Sequence, residues 1–105
     1  MQNNISFYTK GWLVGDFIPA IINSKDIEVG VKEYKTGTVE ENHVHKITSE
    51  YTIVLSGVVS MMGKEYQKGD IVFVPPNTPN QFVSITDSML LVLKTPSIPN
   101  DKYIL

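Results

Sequence analysis

The sequence predicts an all-β protein, and three observations support this. Apolar residues recur mostly with a period of two or in short continuous runs, which turn residues separate about every eight to twelve positions. No window of about eleven residues has helical apolar spacing without an interrupting glycine or proline. The chain of 105 residues is long enough for one core. About eight to ten short strands in this length fit a sandwich, a jelly roll or a small barrel.

The strands are predicted in order along the chain. Residues 12–22 are interrupted by glycine and proline and are expected to form a short strand and a loop. Residues 27–34 alternate apolar and polar side chains, as a strand with one solvated face does. Gly57 lies inside the long β-branched segment 50–62 and indicates a bulge or bend. Further strands are expected at 71–74, 81–86 and 89–94.

We interpret residues 1–105 as a single domain with three parts. An N-terminal arm of about residues 1–25, with a short strand near 5–8, precedes a barrel of about residues 26–95. Residues 96–105 contain two prolines and are expected to form an irregular tail whose last three residues pack back on the barrel.

Composition excludes several classes of function. The chain has no cysteine, so disulfides, thiolate metal sites and cysteine nucleophiles are excluded. The net charge is -2 and all nine basic residues are lysine, which disfavours nucleic acid as a partner. No apolar run approaches the length of about 20 residues that a membrane helix needs. Residues 1–10 lack the features of a signal peptide, so a cytoplasmic location is expected.

The two histidines of the chain, His43 and His45, are the strongest candidates for chemistry. Residues i and i+2 of a strand point to the same face, so both imidazoles can reach one ion. Glu50 begins the next predicted strand and can return to the same point. Two histidines and one carboxylate suit ferrous iron and also accept manganese, nickel, cobalt or zinc. The alternative is a pair of exposed loop histidines beside acidic residues.

The spacing around these residues extends to a glycine on each side. The pattern is Gly37, five residues, His43, one residue, His45, four residues, Glu50, six residues and Gly57. It resembles the first signature motif of the cupin superfamily at every defined position. This resemblance implies a double-stranded β-helix (jelly-roll) barrel, with His43, His45 and Glu50 pointing inward as metal ligands.

A second segment, from Gly69 to Ser84, resembles the second cupin motif with three departures. Asn77 replaces a glycine, Asn80 a histidine and Ser84 an asparagine. Strand alternation sends Asn80 inward to the position of the missing imidazole. The resemblance therefore implies that Asn80 or water completes the metal shell, or that the barrel binds no metal. We expect the cavity to lie between the histidines and three apolar residues, Val54, Phe73 and Phe82.

Two functions remain open. The first is a metal-dependent enzyme that acts on a small organic molecule by dioxygenation, isomerisation or decarboxylation. No general base is evident, so the catalytic residues are unassigned. The second is a non-catalytic barrel that binds a small molecule or a metal. A third class, the sugar-nucleotide epimerases of the same superfamily, is disfavoured by the absence of arginine.

Other side chains carry weaker predictions. Glu40 and Glu41 are expected to be solvated, Tyr34 can reach the mouth of the barrel, and Trp12 gives no signal. The outward residues of the strand after Glu50 are apolar, and a single small barrel has nothing to cover them. We therefore expect a homodimer in which residues 5–8 cross to the partner.

Overall fold

The computed structural model describes residues 2–105, and nearly all of its regular structure is β. This confirms the predicted all-β, jelly-roll class. Eleven strands are present among the described residues, more than expected because four of them are only two residues long. The strands are β1 Trp12–Gly15, β2 Ile22–Asn23, β3 Glu28–Tyr34, β4 His43–Val44, β5 Ser49–Ser56, β6 Val58–Met61, β7 Lys64–Gln67, β8 Ile71–Val74, β9 Val83–Ser84, β10 Ser88–Thr95 and β11 Tyr103–Ile104.

These strands form three sheets. The largest has six strands in the order β2-β1-β3-β10-β5-β8, the second has three in the order β7-β6-β9, and β11 pairs with β4. The chain bends at Gly57, as predicted, and passes there from β5 of the large sheet to β6 of the small one. The buried apolar core draws on both sheets and on Phe82, so it fills the space between them.

Alternation along the strands decides which side chains face this interior. In β5, Glu50, Thr52 and Val54 are buried, whereas Tyr51 and Leu55 are exposed. Asn80, Phe82 and Ser84 are also buried, as the alternation of the second motif predicts. The inner wall therefore carries polar groups near Glu50 and apolar groups beyond it.

Phe73 is not part of that inner wall, and its predicted place in the cavity is wrong. It lies opposite Tyr51 in the antiparallel pairing of β5 with β8 and is 47% exposed. Its ring stacks on that of Tyr51, with the ring centroids 4.8 Å apart. Val72 and Val74 occupy the buried side of β8 instead.

The N-terminal segment departs from the sequence prediction in one place. Residues 5–8 do not form a strand, because Ile5–Phe7 and Thr9–Gly11 are short 3-10 helices. The side chain of Asn4 accepts a hydrogen bond from the N–H of Ser6, which favours this local turn over an extended strand. The predicted strand at residues 5–8 is therefore wrong.

The C-terminal segment is more ordered than predicted. Tyr103 and Ile104 pair with Val44 and His43 as strand β11, so the segment packs on the strand that carries the histidines. No helix in residues 2–105 is long and apolar enough to cross a membrane.

Gly57 and Gly63 offer a matched test of the bend. Both have positive φ, +82° and +76°. A Cβ at Gly57 would lie 2.1 Å from the carbonyl oxygen of Asp87, whereas a Cβ at Gly63 has open space within 4 Å. We expect Gly63→Ala to lower the free energy of unfolding by about 1 kcal/mol, the cost of the backbone conformation alone. Gly57→Ala should cost at least about 2 kcal/mol more, because the backbone must also move. Equal losses in urea unfolding would contradict this account of the bend.

Candidate metal centre and ligand cavity

The site lies in a cavity of about 870 Å³ between the two larger sheets. Its apolar wall is formed by Met61, Phe82, Leu90 and Val92. Residues of the N-terminal 3-10 segment, including Ile5 and Tyr8, line one side. The polar wall contains all four predicted metal-site residues, which are His43, His45, Glu50 and Asn80. The structure thus brings together every residue that the sequence assigned to the metal site.

Backbone pairing on both sides fixes His43. His43 pairs with Ile104 of β11, and its backbone exchanges hydrogen bonds with that of Asn80 at 3.1 and 2.9 Å. Both imidazoles are buried, and their ring centroids are 5.2 Å apart. They are therefore not the exposed loop histidines of the alternative interpretation.

Backbone carbonyls set the orientation of both imidazole rings. Nδ1 of His43 lies 2.9 Å from the carbonyl oxygen of Glu41, and Nδ1 of His45 hydrogen-bonds to that of Asp101. A carbonyl only accepts, so each Nδ1 carries the proton, and in the neutral ring Nε2 carries the lone pair. Burial lowers the pKa of His43, which favours its neutral form. Histidines held in this way are suited to bind metal through Nε2.

Glu50 lies beside His45 on the cavity wall. Its Oε1 lies 3.4 Å from Nε2 of His45, and its Oε2 accepts a hydrogen bond from the hydroxyl of Thr52 at 3.1 Å. Burial raises the pKa of Glu50, but the contact with His45, the charge of Lys94 and the hydroxyl of Thr52 outweigh it and leave the pKa below its usual value. The carboxylate is therefore ionised at neutral pH.

Two buried polar atoms at this site have no hydrogen-bond partner among residues 2–105, namely Nε2 of His45 and Oδ1 of Asn80. When His45 is neutral, a lone pair of its Nε2 faces a carboxylate oxygen of Glu50. Two acceptors in this position repel each other unless a proton on Nε2 or a metal ion lies between them. The donor set thus fits a divalent ion, although residues 2–105 contain no cluster of three His, Asp or Glu side chains already spaced around one.

Asp101 supports this site from the C-terminal segment, and no sequence pattern indicates this role. Its carboxylate accepts hydrogen bonds from the backbone N–H groups of Lys46, Ile47 and Thr48 at 3.1, 3.0 and 2.9 Å. Burial raises the pKa of Asp101, but the hydrogen bonds from these three donors lower it by a larger amount, so the net shift is downward. The same residue therefore holds the loop after His45 and, through its carbonyl, the His45 ring.

Glu40 is not the solvated residue that the sequence predicts. It lines the cavity, accepts a hydrogen bond from the hydroxyl of Tyr34 at 2.9 Å and lies 3.6 Å from Nζ of Lys102. Burial, with the charge of Glu40, raises the pKa of Tyr34 above its usual value. Tyr34 thus reaches the cavity as predicted and remains protonated at neutral pH. Glu41 is exposed, as expected.

A group of cationic and aromatic side chains lines the same cavity and was also missed by sequence reasoning. Trp12 lies over Gly30, where an added Cβ would be 2.6 Å from the indole. Nζ of Lys32 is 3.9 Å and Nζ of Lys94 is 5.0 Å from the centroid of the Trp12 ring. Burial and the charge of Lys94 lower the pKa of Lys32 to about 8.

The family model for the cupin domain matches residues 30–95, which includes every strand from β4 to β10 and most of β3. The chain belongs to the cupin family. This assignment confirms the resemblance that the two motifs indicate. No curated protein shows significant similarity to the sequence.

Several solved structures share the fold of this cupin. KdgF from Halomonas sp. is 22% identical with a TM-score of 0.67, and the match covers 73% of this chain and 74% of that one. The DMSP lyase DddQ from Ruegeria pomeroyi is 21% identical with a TM-score of 0.74, over 89% of this chain but only 49% of that one. The polyketide cyclase RemF from Streptomyces resistomycificus is 18% identical with a TM-score of 0.69, over 78% and 62% of the two chains. At these identities the similarity establishes the fold alone.

The role of Asp101 leads to a stability prediction. Asp101→Asn places an amide where three N–H donors require an acceptor, and should lower the free energy of unfolding by about 2 to 3 kcal/mol. Asp70→Asn is the matched control. Among residues 2–105, the carboxylate of Asp70 accepts a hydrogen bond only from the backbone N–H of Gln67, in an exposed turn. This substitution should cost less than about 1 kcal/mol.

The same contacts predict a pH dependence. A lowered folded-state pKa means that the stabilisation by Asp101 is present above the ordinary value of 3.8 and is lost as the pH falls through the folded-state pKa. The difference in stability between the unmodified protein and Asp101→Asn should therefore shrink in acid. A difference that stays constant down to acid unfolding would contradict this role.

Proposed function

We propose that this cupin holds one divalent metal ion through Nε2 of His43, Nε2 of His45 and the carboxylate of Glu50. Oδ1 of Asn80 or a water molecule completes the coordination. One observation carries the proposal: two buried polar atoms of one cavity, Nε2 of His45 and Oδ1 of Asn80, have no hydrogen-bond partner among residues 2–105, and Oε1 of Glu50 lies 3.4 Å from the first. A metal ion between these groups provides each of them with a partner.

We further propose that the protein acts on a small organic molecule bound in the cavity, by dioxygenation, isomerisation or decarboxylation. Iron, manganese, nickel, cobalt and zinc are all compatible with two imidazoles and a carboxylate, and when bound they polarise a carbonyl or enolate oxygen. The structurally similar DMSP lyase and polyketide cyclase are consistent with small-molecule chemistry on this fold.

The chain's own residues contribute orientation and electrostatics. Glu41 and Asp101 keep the imidazole lone pairs directed inward through their backbone carbonyls. The apolar wall around Phe82 provides a surface for the apolar part of a ligand. The hydroxyl of Tyr34 keeps its proton and, through Glu40, orients one side of the cavity.

A non-catalytic binding protein is the second candidate. It is favoured by Asn80, which offers one amide oxygen where the family pattern has an imidazole. A metal held by fewer strong ligands binds more weakly and exchanges faster. Oxygen consumption or product formation with small diketones, phenols and keto acids distinguishes the two, because a binding protein saturates with ligand but does not turn it over.

Metal content provides the first test. Glu50→Gln and His45→Ala should each lower the affinity for Mn²⁺ or Zn²⁺ at least about tenfold, because each removes a proposed ligand. Glu41→Gln is the matched control, since its side chain is exposed and only its carbonyl contacts His43. Affinity should also fall below about pH 6 as protons compete for the imidazoles. Isothermal titration after chelation and elemental analysis of the purified protein measure these effects.

The same measurements include a variant that should bind the metal more tightly. Asn80→His restores an imidazole at the position of the orphaned amide oxygen and should tighten metal binding. Full metal content in His45→Ala, or no change in affinity for Asn80→His, would place the metal elsewhere.

We also propose that two copies of the chain associate through the outer face of β5 and β8. This face carries Tyr51, Leu55, Ile71 and Phe73, all exposed, and Ile71 is 65% exposed. Because β8 is an edge strand of its sheet, the apolar face continues to an open edge. A second copy related by a two-fold axis covers both, and a standard interface of about 1,600 Å² requires a continuous face of this kind.

Charge on this face should separate the copies. Ile71→Lys should shift the protein from dimer to monomer at micromolar concentration, because it places an ammonium group in the proposed interface. Ile18→Lys is the control, since Ile18 is 90% exposed on the loop between β1 and β2. Light scattering measures both. A mass of about 12 kDa for the unmodified protein at every concentration would refute the dimer.

A further inference from the structure

The cavity carries an excess of positive charge before any metal is considered. Four lysines and three glutamates are among its lining residues. Lys102 is paired with Glu40 at 3.6 Å, and Glu50 lies beside His45. The third glutamate, Glu33, is exposed to solvent. The seven charged lining residues together leave one positive charge in excess, and two of the lysines, Lys32 and Lys94, lie on the wall around Trp12.

Lys32 and Lys94 have no carboxylate oxygen within salt-bridge distance among residues 2–105. Their ammonium groups instead share the indole of Trp12, at 3.9 and 5.0 Å from its centroid. The Nζ atom of Lys32 also donates a hydrogen bond to the carbonyl of Lys10. An aromatic face and a carbonyl stabilise an ammonium group but leave its full charge in place. Two like charges held on one ring attract an anion.

The charges around Lys32 come from several elements. Lys94, Lys10 and Lys102 all repel it, and Glu40 is the one acid that attracts it appreciably. A bound anion relieves this repulsion and offsets the cost of burying the ammonium group. The wall is therefore a site that is completed by a negative group from outside the chain.

This wall connects directly to the proposed metal site. Lys94 lies opposite Glu50 in the pairing of β10 with β5, and its charge contributes to the lowered pKa of Glu50. Leu90 and Val92 continue the inner face of β10 from Lys94. A ligand group held at Lys94 is therefore next to Glu50 and His45, and Val92 and Leu90 form the apolar surface beside it.

We propose that the ligand of this cavity is a small organic carboxylate, and that its carboxylate group binds at Lys32 and Lys94 beside Trp12 while its other end faces His43 and His45. The proposal deepens the proposed function and rests on its premise that the cavity accepts a small organic molecule. A carboxylate carries one negative charge, which equals the net excess of the charged lining residues before any metal is bound. A phosphate dianion exceeds it and faces two glutamates, Glu40 and Glu50, in the same cavity.

Hexanoate and hexanamide provide a matched pair of probes that differ only in charge. Trp12 is the only tryptophan of the chain, so its fluorescence reports from the proposed site itself. We expect hexanoate to produce a saturable change in Trp12 fluorescence and to bind at least about tenfold more tightly than hexanamide by calorimetry. Equal affinities, tighter binding of inorganic phosphate, or binding without a Trp12 response would each overturn the proposal.

Variants of Lys32 test the site independently. Lys32→Met should weaken hexanoate binding at least about tenfold, and Lys32→Arg, which keeps the charge, should restore most of it. Lys68→Met is the control, because Lys68 is exposed in a turn and does not line the cavity. Circular dichroism establishes that each variant is folded. Unchanged binding in folded Lys32→Met would refute the assignment.

Metal measurements separate this proposal from the preceding one. Lys32→Met should bind Mn²⁺ as the unmodified protein does, and His45→Ala should lose the metal but keep hexanoate. If the unmodified protein binds hexanoate at Trp12 but no metal, the metal site fails and the carboxylate site stands. If it binds metal but binds hexanoate and hexanamide with equal affinity, the carboxylate site is refuted and the metal site stands.

Discussion

A β-strand has two faces, and β5 uses both of them. The period of two places Glu50, Thr52 and Val54 in the interior and Tyr51, Ile53 and Leu55 on the opposite face. One strand therefore supplies a carboxylate for the cavity, a hydroxyl that holds it and an apolar residue of the core. A register slip of one residue would exchange these two sets, so the same pairing with β10 that stabilises the sheet also fixes the chemistry of the site.

One hydrogen bond per ring is enough to orient the two histidines and the Nε2 atom of each. Each ring donates a hydrogen bond from its Nδ1–H group to a backbone carbonyl. For His43 the acceptor is two residues away in the chain, and for His45 it is 56 residues away. The lone pairs of the two Nε2 atoms follow from these contacts. The two carbonyls lie two residues before β4 and β11, which pair with each other, and a carbonyl orients a ring without adding a formal charge.

The sequence contained the local part of this arrangement. Strand alternation and motif spacing were enough to predict that His43, His45, Glu50 and Asn80 share one cavity. Asp101, Lys32 and Trp12 were not predictable, because their roles depend on pairing between segments distant in the chain. Phe73 was misplaced for a related reason: its face depends on the register of β8 against β5, which spacing within one strand does not give. Near residue 5 the Asn4 side chain stabilises a turn, and that local hydrogen bond prevails over the apolar pattern.

The contact between His45 and Asp101 also determines when the site becomes complete during synthesis. His43, His45 and Glu50 leave the ribosome well before residues 101–104, which orient His45 and pair with His43. Until those residues arrive, the imidazole of His45 lacks its carbonyl acceptor and β4 lacks its partner strand. The cavity wall around the two histidines therefore needs residues that are synthesised after every strand from β1 to β10.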